Sequence, residues 1–192
     1  MFLRSLTMTS AIGLLLMVST TTPALAYSVN LTEDNGGALV RWMSNNLTYY
    51  LHPSCSADLN NSVCLNAVRD SFAEWEQASC SALSFTELGF SNNLQLTAIG
   101  YSANDKNEVA WIENSQWTFG TYTLGVTAPI FYDTGQIIEA DIAMNGYLQT
   151  WSTSGADYST DVKNVAVHEI GHFFGLQHTL GGYDPSNPPT MA

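Results

Sequence analysis

Basic residues are scarce in this 192-residue chain: five lysines and arginines face 17 aspartates and glutamates, a formal net charge of −12. Such a surface repels phosphate backbones and anionic lipid, so neither nucleic acid nor a membrane is expected as a partner. Long apolar runs are missing too. The one near the start, Ala11 to Val18 (AIGLLLMV), is well short of the ~20 residues a membrane span needs. No internal repeat, low-complexity tract or second domain is visible, and the length suffices for one domain with its own core.

The short apolar run has another meaning. Arg4 precedes it, and the small-x-small triplet Ala24-Leu25-Ala26 follows. That order is an export signal over residues 1–26, with a mature chain starting at Tyr27 and a secreted, extracellular destination. Removing the signal leaves 4 basic against 17 acidic residues. The acidity suits a soluble exported protein, expected here to be monomeric.

Cysteine is sparse as well: Cys55, Cys64 and Cys80. Export permits disulfides. Cys64 and Cys80 fall near opposite ends of one predicted helix, where sixteen residues at ~1.5 Å rise put them roughly 24 Å apart, beyond disulfide reach. Cys55 with Cys64 is the feasible local pair. Cys80 is left over, either as a thiol buried under the sheet or with a partner beyond the end of this chain.

Residues 27–46 are polar and glycine-containing, and are expected to be irregular. Leu47 to His52 has the aromatic and β-branched content of a strand. Asp58 to Ala78 is an amphipathic helix, with Cys64, Ala67, Val68, Phe72 and Trp75 on one apolar stripe. Strand-like runs follow at Leu83 to Leu88, Leu94 to Tyr101, Glu108 to Ile112, Leu124 to Tyr132 and Ile137 to Ala143. Asp133-Thr134-Gly135 separates the last two as a hairpin turn. Residues 147–159 are expected to form a loop, and a second helix runs from Val162 to Leu176 with Asp161 as its N-cap. Strand, helix, several strands and helix make an α+β domain with helices packed on one twisted sheet.

The second helix carries His168-Glu169-Ile170-Gly171-His172, the pattern H-E-x-x-H. Positions i and i+4 share a helical face, so both imidazoles can reach one metal ion. Glu169 lies one position around, placed to act as base on a water rather than as a ligand. Gly175 and His178 extend the pattern to H-E-x-x-H-x-x-G-x-x-H. His178 is too far along the axis to reach the same ion from a continuous helix. Gly175 can take a left-handed conformation, end the helix and turn the chain back. Three histidines and one open position form a catalytic zinc set, because a structural zinc site is closed by four protein ligands. His52, outside the pattern, is expected to be a structural hydrogen-bonder.

The extended motif resembles the metzincin clan of metallopeptidases. More narrowly, the chain looks like a bacterial matrixin-type, matrix-metalloproteinase-like catalytic domain. Arg41-Trp42, Ala67-Val68-Arg69 through Phe72 and Trp75, Ile138-Glu139-Ala140-Asp141-Ile142 through Asn145, and Asp161 through the zinc helix all fit that family. The resemblance implies a twisted mixed sheet, one catalytic zinc and a protein or peptide substrate. It also implies a methionine turn beneath the metal, at Met191 in Pro189-Thr190-Met191-Ala192. The family continues past that turn into a C-terminal helix, so residues 47–192 are expected to be a catalytic domain lacking that helix. Members with a second, structural zinc use additional histidines, and only His52 is spare. Calcium ligands of the family fall in the stretch matching Glu139 to Gly146, where Glu139, Asp141 and Asn145 bear oxygen; a calcium site there has no further support. No cysteine-bearing prosegment precedes the domain.

The resulting expectation is a secreted zinc endopeptidase with Glu169 as catalytic base. The competing readings are a non-catalytic zinc-binding module and an inactive truncated peptidase. The presence of Glu169 argues against the former, and the close of the sequence at Ala192 motivates the latter.

Overall fold

The computed structural model describes residues 28–33, 36–92, 103–179 and 190–191. The export signal, the whole of the predicted strand Leu94 to Tyr101 and residues 180–189 lie outside the described residues. Two helices pack on one face of a five-stranded sheet. The elements in chain order are β1 (Ser28–Val29), β2 (Asn46–Leu51), α1 (Asn61–Gln77), β3 (Ser84–Phe90), β4 (Glu108–Ile112), β5 (Gly125–Phe131), β6 (Ile137–Asn145), β7 (Trp151–Ser152), β8 (Thr160–Asp161), α2 (Val162–Phe173) and β9 (Leu176–Gln177). The main sheet has the order β3-β2-β4-β6-β5. β2, β3, β4 and β6 are parallel, and β5 closes one edge antiparallel to β6. This is the mixed sheet of the α+β, metzincin-like class.

Strand parity divides the sheet into two faces. Leu47, Tyr49 and Leu51 of β2, Val109 and Trp111 of β4, and Ala140, Ile142 and Met144 of β6 point towards the helices. There they meet Val68 and Phe72 of α1 and Val165, Ala166, Ile170 and Phe173 of α2. Phe72 is the hub: it stacks on Tyr49 at 3.9 Å between ring centroids and meets Phe173 edge-on at 6.0 Å. On the other face Ala143 packs with Trp117, against Ile112, Phe119, Val126 and Ala128. Being covered on both faces, β6 loses the alternation of a half-buried strand and stays buried to Asn145.

Several boundaries differ from the sequence expectation. α1 begins at Asn61 because Asn60, not an earlier residue, caps it: its side chain accepts from Ser62 N. Asp58 stays outside the helix and accepts a hydrogen bond from Trp151 N at 2.9 Å. The 147–159 stretch is not all loop. Trp151 and Ser152 pair with Thr160 and Asp161, and the Trp151 indole, buried, donates to Asn145 O at 2.8 Å. α2 stops at Phe173, three residues short, because Gly175 turns the chain.

Among its described residues the segment before β2 carries a single two-residue strand, yet it is docked. β1 pairs antiparallel with β9, and Leu31 bridges Leu39 while Arg41 bridges Gln136. Cys55 and Cys64 form a disulfide, while Cys80 is free and exposed. The alternative of a Cys80 thiol buried under the sheet is therefore corrected: the residue follows the C-cap of α1 in the exposed turn after the helix.

Candidate metal centre

The second helix is held by two indoles, one at its middle and one at its C-terminal end. Trp75 of α1 donates to Val167 O at 2.9 Å, and Trp42, just before β2, donates to Phe173 O at 2.9 Å. At the N-terminus the Asp161 carboxylate accepts from Asn164 N at 3.0 Å. Gly175 ends the element with φ of +101°, a region L side chains rarely adopt. A β-carbon there would also lie 2.4 Å from Val40 O, so the turn needs glycine for space as well as for conformation. Beyond it β9 runs back beside β1 and delivers His178.

The three motif histidines converge. His178 Nε2 lies 3.0 Å from His168 Nε2 and 3.2 Å from His172 Nε2. A tetrahedral zinc with bonds of ~2.0–2.1 Å holds its nitrogens roughly 3.3 Å apart, close to these separations. The opposite ring nitrogens are committed: His168 Nδ1 donates to Thr190 O at 2.6 Å, and His172 Nδ1 donates to Leu176 O at 2.8 Å. With Nδ1 as the N–H donor, each neutral ring turns its Nε2 lone pair inward. Two inward lone pairs beside a third imidazole nitrogen are a donor set suited to one cation. Among the described residues, this is the group of His, Cys, Asp and Glu side chains suited to a metal ion. Burial lowers His172 to about 4, with the two neighbouring histidines adding to that and the Leu176 carbonyl opposing it. Burial also lowers His178. Both shifts favour the neutral ring, which is the form that binds metal.

Glu169 is not in the histidine set. Its carboxylate is buried against β5, where Thr127 Oγ1 donates to Oε2 at 2.7 Å. Burial pushes it up to about 7, and the Thr127 hydrogen bond opposes that rise. The histidines and Glu169 open on one cleft of about 670 Å³, walled by Leu124 to Thr127 of the edge-strand side and by Asn164 and Val165 of α2. Asn30 from the N-terminal segment lines it too.

Met191 sits beneath α2, 1% exposed. A β-carbon on Gly171 would lie 2.3 Å from Met191 Sδ and 3.3 Å from the Trp75 ring, so the motif's central glycine makes room for the methionine. His52 lies apart: its Nδ1 bonds locally to the backbone of Ser54. The oxygen-bearing residues of the calcium stretch are engaged with separate partners. Glu139 accepts from Asn104 N, Asp141 accepts from Glu108 N, and Asn145 donates to Thr123 O while accepting from Leu148 N.

Sequence reasoning did not find Thr127, Gly125, the Thr190 carbonyl or the two indole clamps. Trp42 stood out only as a family-like position, and Trp75 as that and as part of the apolar stripe of the first helix. A threonine in a β-branched strand carries no sign that its hydroxyl meets a helix 42 residues away.

A helix, a glycine turn and a returning histidine over a mixed sheet put this domain in the metzincin class of metallopeptidases. Residues 41–181 match the sequence model of the matrixin family, and the chain belongs to that family. It is also similar to karilysin of Tannerella forsythia, with 29% identity over 153 residues, which cover 78% of this chain. The matched region spans 29% of the length of karilysin.

Proposed function

We propose that this chain is a secreted zinc endopeptidase, with His168, His172 and His178 as the metal ligands and Glu169 as the general base. The observation that carries this reading is the meeting of three inward-facing imidazole nitrogens with a buried glutamate of the same helix, on the wall of an open cleft. Membership of the matrixin family supports the metal and the reaction class. Secretion is supported by the signal-like pattern of residues 1–26 and by the Cys55–Cys64 disulfide.

Zinc, when bound, supplies Lewis acidity that acidifies water and polarises the scissile carbonyl. The chain's own residues do the rest. The Glu169 carboxylate takes a proton from the attacking water and passes it to the leaving amine. In the metal-free protein burial raises its pKa to about 7. Thr190 O and Leu176 O hold the histidine tautomers. Among the described residues β5 pairs on one side only, which leaves its other edge for an extended peptide that would add a strand along Leu124 to Ile130.

The test is cleavage of casein by the purified protein. Activity should vanish with a chelator and return with zinc. Chelator-insensitive cleavage, or zinc binding with no cleavage of any peptide library, would overturn the reading.

A further inference from the structure

β5 does more than wall the cleft. Residues 125 and 127 lie on the same face of the strand, since successive side chains alternate. Pairing with Met144 and Ile142 of β6 fixes their positions. That face meets α2 at Glu169. The Thr127 hydroxyl lies 2.7 Å from Glu169 Oε2 and 3.0 Å from Glu169 O. It has one proton, and the shorter contact is to the carboxylate. Gly125 leaves the space beside it. A β-carbon there would lie 2.7 Å from Glu169 Oε1, 2.8 Å from Cγ and 2.9 Å from Cδ. No conformational demand explains the glycine, because its φ is not in the left-handed region. The carboxylate explains it.

We propose that Thr127 and Gly125 are positioning residues for the Glu169 carboxylate: the hydroxyl anchors Oε2, and the missing side chain admits Oε1. The proposal rests on Glu169 being the general base. It adds that the strand offered to the peptide also sets where the base stands. A carboxylate misplaced by even ~1 Å loses a large part of its rate advantage. These residues act through Glu169 and need not touch the substrate.

The experiment compares Thr127→Val, Thr127→Ser, Gly125→Ala and Glu169→Ala on a fluorogenic peptide, with zinc content and thermal midpoint measured in the same samples. Thr127→Val keeps the side-chain shape and deletes the hydroxyl. Its kcat should fall roughly 10-fold or more, with KM within about twofold and zinc retained. Thr127→Ser should restore most of that loss. Gly125→Ala should lower kcat by a similar factor, and carries the test if Thr127→Val does not fold. In the Glu169→Ala background, Thr127→Val should change the residual rate no further. The proposal is overturned if either single variant keeps kcat within about twofold of wild type, if serine is as slow as valine, or if valine slows the Glu169→Ala protein further. A Glu169→Ala protein with undiminished kcat would overturn the general-base reading itself, a result distinct from those three.

Discussion

The two helices share a core and obey different rules. α1 is a one-sided helix. Its 17 residues bury Cys64, Leu65, Val68, Ser71 and Phe72 along one stripe, and the opposite face is solvated. α2 is shorter, 12 residues, and is used on two sides. Val165, Ala166, Ile170 and Phe173 face the same core as α1. On its remaining surface it buries Glu169, which a packing argument would not choose, and Gly171, which leaves room for Met191 beneath the helix. A buried carboxylate costs free energy unless it is paired or neutral. A mid-helix glycine costs about 1 kcal/mol against alanine. α2 offsets these costs with its cap, two indole clamps and extensive contact with β5. Residues that break the packing rules on one helix and not on the other mark where chemistry has been set into the fold.

The sharpest break of this comparison comes from the ligands. His168→Ala, His172→Ala or His178→Ala should each abolish stoichiometric zinc and, with it, measurable cleavage, whereas His52→Ala should alter neither. Zinc analysis after dialysis checks this. Full zinc in any of the three, or loss of it with His52→Ala, would undo the three-histidine set.

Next in size is a pair of substitutions, one per helix. Phe72→Ala removes the hub of the aromatic core and should cost about 3–5 kcal/mol of stability. The surviving folded fraction should keep wild-type kcat. Glu169→Ala should do the reverse: kcat falls by roughly 10²-fold or more with zinc retained and no comparable loss of stability. Denaturation curves and active-site titration separate the two. If Phe72→Ala lowered kcat per folded molecule while Glu169→Ala did not, the division of labour would be wrong.

These contrasts also explain what could be read from sequence. The zinc helix was legible because its residues are chemically rare and locally spaced: an i, i+4 pair, a glycine and a third histidine need no tertiary information. α1 was legible from its stripe, although its start was not, since Asn60 and Asp58 are both plausible caps and only the docking of Trp151 N on Asp58 decides between them. The antiparallel edge was legible, because Asp133-Thr134-Gly135 joins β5 to β6 as a hairpin turn, whereas the parallel centre follows from long-range pairing that local pattern does not encode. The Thr127 contact with Glu169, the Thr190 carbonyl that sets the His168 tautomer, and the pairing of β1 with β9 likewise exist only once distant segments are brought together.

A smaller effect sharpens the account of α2 in the metal-free protein. Burial lowers His172 from 6.5 to about 4, so between those values the unfolded chain binds more protons than the folded one, and stability rises with pH. Burial raises Glu169 from 4.5 to about 7, so there the folded state binds more protons, and stability falls as pH rises. From about pH 4.5 to 6.5 the two oppose each other. Glu169→Gln removes the second and should leave a thermal midpoint that climbs with pH across this window in chelator. Wild type should climb less. Equal slopes would show that Glu169 does not titrate in this way.

The smallest expected effect concerns the caps, where the helices are most alike. Asn60 Oδ1 accepts from Ser62 N at 3.0 Å, and Asp161 Oδ1 accepts from Asn164 N at 3.0 Å. Each satisfies one of the amide groups that a helix start leaves without a partner, so either change to alanine should cost about 1 kcal/mol. In a domain of this size that is roughly 2–4 °C in thermal midpoint. The two caps differ in charge. Asp161 also places a carboxylate at the positive end of the α2 dipole, worth a further ~0.3–1 kcal/mol that salt screens. Asp161→Asn should therefore lose a fraction of a kcal/mol at low salt and almost nothing at high salt, while Asn60→Ala should cost the same in both. Neither should move kcat, because Trp75 and Trp42 hold α2 at Val167 and Phe173, on either side of the first two histidines. Chemical denaturation at two salt concentrations, with kcat measured in parallel, tests this. A drop in kcat for Asp161→Asn would mean that the N-terminus of α2, and not the indole clamps, sets the position of the motif.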